Sequence, residues 1–322
     1  ESQKNGSLVG SIRGRHVAGA TDAGDFTATF AGRPEVSQFS VDMTAQKLRL
    51  TDFAGYIDKI PDAFKTLGTV SGHVGINVEE SEITNLEADI TLRNGVLAAS
   101  SKLTDPTFLT AHLIGTFERS LKALNVVKLE ITMADGRDLA FVGGVNNIGT
   151  STLTFKGGLK VDKLALRTVL ADWPDTVAGD LKALIGSHVD GGFLQDGNAQ
   201  IAGRYNLANG ALSLTQFDFD GYFSGLRAKI ATDQYRRAVG TVDGNFAFRM
   251  DDQGKIDALD IAATVSDGSV LLAGRETPVL LTSADLKAQF SSNRTLSGVL
   301  TADFGLNGKL LVSADSIVNA HN

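Results

Sequence analysis

Gly68-Thr69-Val70-Ser71-Gly72 and Gly240-Thr241-Val242-Asp243-Gly244 are two versions of one pentapeptide, set 172 residues apart (240 − 68). Reading outward at that offset, Val74, Ile76 and Val78 match Phe246, Phe248 and Met250, and Glu79-Glu80 matches Asp251-Asp252. One residue is then added. From Ile83 the offset is 173 (256 − 83), and Leu86-Glu87, Thr91-Leu92 and Asn94-Gly95 fall on Leu259-Asp260, Thr264-Val265 and Asp267-Gly268. An insertion confined to a turn, with apolar alternation kept on both sides of it, marks a duplicated strand–turn–strand unit.

The same alternation extends beyond the duplicated stretch. Leu153, Phe155, Leu159 and Val161 hold odd positions among Thr and Lys, and Leu296, Leu300, Ala302, Phe304 and Leu306 hold even ones near the end. A period of two gives each strand one wet face and one dry face. Asn94-Gly95, Asp135-Gly136, Asn209-Gly210, Asp267-Gly268 and Asn307-Gly308 punctuate the chain, dipeptides that tolerate positive φ in tight hairpin turns. The expected fold is mainly β, an elongated and curved antiparallel sheet of repeated hairpins.

Two segments have helical spacing instead. Near 52–67, Phe53, Tyr56, Ile57, Ile60, Phe64 and Leu67 recur at three- and four-residue steps; near 163–186, Leu166, Val169, Leu170, Trp173, Val177, Leu181 and Leu184 do the same. Phe53, Tyr56, Ile57, Ile60, Pro61 and Asp62 align with Leu166, Val169, Leu170, Trp173, Pro174 and Asp175 at a constant offset of 113 (166 − 53). Pro61 and Pro174 fall inside these patterns, where proline kinks or splits a helix. Each amphipathic helix then opens a run of hairpins, which divides the chain into two segments, 1–150 and 151–322.

Composition excludes several classes. Of 322 residues 43% are hydrophobic, enough for a large core, and the net charge of −7 with dispersed Lys and Arg argues against a nucleic-acid partner. No cysteine is present, so neither disulfides nor thiol chemistry contributes. The chain opens Glu1-Ser2-Gln3-Lys4 and contains no run approaching the ~20 apolar residues of a membrane span. It reads as a slice of a larger protein, so a missing anchor here says little about the parent.

Catalytic signatures are equally sparse. His16, His73, His112, His188 and His321 stand singly, without the three- or four-residue partners of a metal site, so no metal and no cofactor is expected. Glu79-Glu80 and Asp251-Asp252 sit where turns are expected, and Asp251-Asp252-Gln253-Gly254 lacks the alternating ligands and distal Glu of a calcium loop. Gly221-Tyr222-Phe223-Ser224-Gly225 misplaces its Ser for a nucleophile elbow, and neither a phosphate loop nor a dinucleotide fingerprint occurs. The chain is not expected to be an enzyme.

Aromatic usage points elsewhere. There are 17 Phe against 4 Tyr and 1 Trp, and Phe offers apolar surface without the polar edge that sugar and protein contacts favour. Two helices cannot cover so many amphipathic strands. Either the sheet closes on itself, as a sandwich or a solenoid, or its dry face meets a ligand.

Leu170-Ala171-Asp172-Trp173-Pro174, then Gly186-Ser187-His188-Val189-Asp190-Gly191-Gly192-Phe193, then Ala199-Gln200-Ile201-Ala202-Gly203, together with the Gly-Thr-Val-x-Gly strand starts at Gly68 and Gly240, resemble the AsmA-like proteins of Gram-negative bacteria, the YhdP and TamB types in particular. The resemblance runs from about Leu48 onward. It departs after the Trp-Pro helix, where this chain reads Gly179-Asp180-Leu181-Lys182-Ala183-Leu184. It implies a periplasmic protein, anchored in the inner membrane through segments outside this chain, whose repeating β-groove carries phospholipid toward the outer membrane. On that implication the groove lining comprises Val74, Ile76, Val78, Leu153, Phe155, Phe246, Phe248, Met250, Leu300 and Phe304, and the partner is phospholipid. The competing expectation is a structural or adhesive β-rich stalk of a secreted or surface protein.

Overall fold

A computed structural model describes residues 2–4, 7–18, 22–49, 68–96, 107–172, 179–209, 211–230, 235–251, 255–272, 274, 276–291 and 295–317. The expected helix near 52–67 lies outside them. The protein is mainly β: its strands form open antiparallel sheet that does not close into a sandwich or solenoid. Two compact units are present, Glu1–Leu159 with Gly203–Leu212, and Lys160–Ala202 with Ser213–Asn322.

The first unit holds β1 (Ser2–Lys4), β2 (Ser7–Ala18), β3 (Asp22–Arg33), β4 (Gln38–Leu48), β5 (Thr69–Glu79), β6 (Glu82–Val96), β7 (Thr107–Glu118), β8 (Ala123–Met133) and β9 (Asp138–Asn146), followed by most of β10 (Thr152–Asp162). Each strand from β1 to β9 pairs antiparallel with the next. Short connections make this meander possible. Glu80 and Ser81, at φ of 51° and 68°, turn β5 into β6, and Gly136 at φ 85° turns β8 into β9.

In the second unit, β11 (Leu164–Ala165) leads into α1 (Leu166–Asp172) and α2 (Gly179–His188), then β12 (Val189–Asp190) and most of β13 (Phe193–Asn206), whose end from Gly203 belongs to the first unit. The meander continues through β14 (Leu212–Ile230), β15 (Tyr235–Met250), β16 (Ile256–Leu272), β17 (Val279–Phe290), β18 (Thr295–Asp303) and β19 (Lys309–Ile317), in which each strand from β14 to β18 pairs antiparallel with the next. The helical pattern expected near 163–186 is thus carried by two helices among the described residues; Trp173 and Pro174 lie between them, outside those residues. No helix among the described residues is long and apolar enough to cross a membrane. The β18–β19 hairpin is locked by Asp303, whose carboxylate accepts the Gly305 N–H at 2.8 Å and pairs with Lys309 Nζ at 3.3 Å. The backbone hydrogen bond first, and the lysine second, hold that carboxyl below its ordinary pKa.

The duplicated sequence folds into a duplicated structure. Val74, Ile76 and Val78 of β5 face Ala88, Leu86 and Ile83 of β6; Phe246, Phe248 and Met250 of β15 face Ile261, Leu259 and Ile256 of β16, which are the same partners at the repeat offset. The register slips at matching points, between Asn77 and Val78 in one copy and between Arg249 and Met250 in the other. Asn94-Gly95 and Asp267-Gly268, expected as hairpin turns, instead lie inside β6 and β16. Asn94 and Asp267 take φ of 53° and 49°, and Asp267 lies where the register of β16 slips against β15 beside Gly240. Positive φ serves a β-bulge as well as a turn, and here it re-aims a long strand rather than ending it.

Gly72 and Gly244 show why the pentapeptide is kept. A Cβ on Gly72 would lie 2.1 Å from the Asp89 carbonyl oxygen, and one on Gly244 would lie 2.2 Å from that of Ala262, the equivalent residue. Gly72 also has a φ of 139°. Gly72→Ala should therefore destabilise by roughly 1–3 kcal/mol in urea unfolding. Gly75→Ala on the same strand, whose Cβ would meet only the His73 ring at 3.7 Å, should be within about 0.5 kcal/mol of wild type. Equal losses at the two positions would refute the close-approach explanation.

Candidate functional site

Residues directly opposite in a β-ladder project to the same face, so the registers sort side chains without ambiguity. In the second unit one face collects Phe246, Phe248 and Met250 of β15, Leu259, Ile261, Ala263 and Val265 of β16, and Ala284, Leu286, Ala288 and Phe290 of β17. Leu296, Gly298, Leu300 and Ala302 of β18 and Leu310, Val312 and Ala314 of β19 continue it. None of these residues carries a charge. The opposite face carries Asp243, Arg249, Asp260, Asp285, Lys287 and Asp315, and most of those side chains are exposed.

The apolar face is half-buried over much of its area. Leu259, Ile261, Val265, Leu286, Phe290 and Leu300 are all in this state, whereas residues between two packed sheets would be sealed. α1 and α2 lie against β11 and β12. A closed sandwich core, one of the two expectations for these strands, is therefore not what they form.

The thickest part of the face is an aromatic cluster on β14 and β15. Phe217 stands opposite Met250 and Phe219 opposite Phe248, and Phe223 faces Gly244. Ring centroids lie 5.7 Å apart for Phe217–Phe248, 5.5 Å for Phe219–Phe246 and 6.0 Å for Phe223–Phe246. These spacings are those of attractive ring contacts. Phe248 and Met250 are consequently 5% and 4% exposed, the packed base of the face rather than its accessible surface, while Phe246 is half-buried.

The first unit repeats the pattern. Val74, Ile76 and Val78 stand opposite Met43, Val41 and Phe39 of β4, all on one apolar face and all half-buried or exposed. Leu153 and Phe155, on β10, are also half-buried. Rings lie along the sheet rather than standing from it: the Phe30 and Phe26 rings of β3 occupy the space where Gly10 and Gly14 of β2 lack a Cβ. Of the remaining expected lining residues, Leu300 lies between Leu286 and Val312, but Phe304 lies past the end of β18 in the hairpin, its N–H donating to the Gly308 carbonyl.

Phe217, Phe219 and Phe223 were hidden by what surrounds them. Asp218-Phe219-Asp220 reads as an acidic pair and Gly221-Tyr222-Phe223-Ser224-Gly225 as a damaged nucleophile motif, yet the alternation of Phe217 and Phe219 with acids was there to be read. Asp218 and Asp220 are the wet-face neighbours, accepting hydrogen bonds from Gln216 at 2.6 Å and Asn198 at 3.2 Å.

The wet faces hold polar partnerships rather than a convergent site. His73 and Asp42 meet at 2.9 Å and His112 and Asp89 at 2.8 Å across neighbouring strands, all exposed or half-buried. A hollow of about 830 Å³ on the wet face of the second unit is lined by Tyr222, Asp243, Thr264, Asp285 and Lys287 among others, with Thr264 donating to Asp285 at 2.9 Å. Among the described residues no three His, Asp or Glu side chains gather as metal ligands. No family model, curated protein or solved structure matches the chain.

Proposed function

We propose that this chain is a segment of a bridge-like lipid-transfer protein of the periplasm, anchored to the inner membrane through parts outside this chain, in which phospholipid acyl chains travel over the apolar faces while headgroups stay in water. The observation that carries this reading is the uncharged face of β15–β19, half-buried over much of its area and backed by a face that carries Asp243, Arg249, Asp260, Asp285, Lys287 and Asp315. A sheet face of this kind needs an apolar occupant, because leaving it in water forfeits about 25 cal/mol for each Å² exposed.

The energetics suit transport. A sixteen-carbon acyl chain transferred at ~0.8 kcal/mol per methylene releases about 12 kcal/mol gross. That holds a lipid without headgroup recognition. Movement along such a surface exchanges one aliphatic contact for another, so each step is cheap relative to leaving it. No catalytic group takes part. The resemblance to AsmA-like proteins, carried by the Trp173-Pro174 segment and the Gly-Thr-Val-x-Gly strand starts, agrees with the same reading.

Native mass spectrometry of the chain, delipidated and then incubated with phosphatidylethanolamine–phosphatidylglycerol vesicles, tests the proposal. The expected spectrum contains protein with one or more bound phospholipids, insensitive to headgroup. A spectrum of bare protein at every lipid concentration would favour the structural stalk instead.

A further inference from the structure

Among the described residues β19 pairs only with β18, in an unbroken ladder from Asp303 opposite Lys309 to Thr295 opposite Ile317. No register slip, proline or positive φ interrupts β19, and such interruptions are what usually keep an outer strand from pairing again. The hairpin decides which of its peptide groups are free. The Phe304 N–H donates to the Gly308 carbonyl, so bonded pairs recur at every second position, and Leu310, Val312 and Ala314 turn their peptide groups toward β18. Those of Lys309, Leu311, Ser313 and Asp315 point to the open edge.

Two features of this strand find no explanation within one chain. Leu311 is 70% exposed and stands on the wet face opposite Thr301, with the exposed Val299 as its diagonal neighbour. Asp315, on the same face opposite Ser297, meets no cation and no hydrogen-bond donor among the described residues. One antiparallel register of β19 against a second β19 answers both. About a two-fold axis at Val312, Leu310 meets Ala314, Leu311 meets Ser313 and Lys309 meets Asp315, so each face continues into its own kind. The two Leu311 side chains then lie diagonally across the axis, each with Val299 behind it. Moving the axis to Leu311 or Ser313 keeps the faces matched but sets Lys309 opposite Ser313 or Ile317, away from Asp315. An axis between two residues sets the apolar face against the wet one.

We propose that β19 is a dimerisation edge, pairing antiparallel about Val312 with β19 of a second copy of this chain. The pairing does not depend on what the apolar faces carry. Charge complementarity selects the occupant, because the strand is its own complement: each Lys309, already 3.3 Å from Asp303 of its own hairpin, also gains Asp315 of the second copy. About eight main-chain hydrogen bonds, two for each outward-facing pair, supply the attraction, and the charges fix the register.

Sedimentation equilibrium of the full chain over about 1–100 μM, with unfolding curves alongside, tests the pairing. Wild type should fit a monomer–dimer equilibrium. Asp315→Lys, at an exposed position, and Lys309→Glu should each weaken self-association roughly tenfold or more, because each sets like charges opposite one another twice. An equimolar mixture of these two variants restores opposite charges across the axis and should dimerise again. Ser313→Pro removes an outward N–H without touching the β18 ladder and should leave a folded monomer. A wild type that stays monomeric throughout, dimers indifferent to all three substitutions, or a mixture no more associated than its components would overturn the assignment. Assemblies larger than dimers that persist in Asp315→Lys would also overturn it, in favour of indiscriminate strand addition.

Discussion

Phe248→Asp should unfold the second unit or bring it close to unfolding. Phe248 is 5% exposed and its ring packs 5.7 Å from those of both Phe217 and Phe219. Truncating such a ring alone costs about 3–5 kcal/mol, and an unpartnered carboxylate in the same place adds its own desolvation. Those losses rival the whole stability of an ordinary domain, about 5–15 kcal/mol. Thermal and urea unfolding followed by circular dichroism should show either no cooperative transition or one shifted far down. A comparison with Leu300→Ala, half-buried and expected to lose about 1 kcal/mol, sets the scale. A Phe248→Asp protein as stable as Leu300→Ala would mean that the aromatic cluster is not the structural base of the face.

That expectation differs from what parity alone suggests for Phe248. Alternation in β15 correctly assigns Phe246, Phe248 and Met250 to one dry face, because side-chain direction along a strand is fixed by the backbone. It is silent on depth. Depth comes from β14, whose Phe217 and Phe219 arrive from some thirty residues away to cover Phe248 and Met250. The accessible part of the face is carried instead by residues such as Leu300, whose neighbours are smaller.

Other features divide along the same line. The meander and the duplicated hairpins were legible, since period two and a matched pair of stretches are local properties. That Asn94-Gly95 and Asp267-Gly268 lie within strands was not, because a dipeptide permitting positive φ does not say whether the chain reverses there; that depends on whether the next strand continues the ladder. Phe304 follows the apolar parity of β18, yet Asp303 captures the Gly305 N–H and ends the strand one residue earlier.

The separation of the two faces is the central claim, and adjacent residues on β18 test it. Leu300 points to the apolar face between Leu286 and Val312; Thr301 points to the wet face opposite Asp285. A carboxylate at 300 stays hydrated while the face is empty but must be stripped of water when an acyl chain covers it, a cost of several kcal/mol that falls on the bound state alone. We would measure the binding and inter-vesicle transfer of a fluorescent phospholipid by Leu300→Asp and Thr301→Asp, with unfolding curves alongside. The account predicts two folded proteins, of which Leu300→Asp binds and transfers lipid at least roughly tenfold less well while Thr301→Asp matches wild type. Equal activity in the two folded variants, or a loss confined to Thr301→Asp, would contradict it.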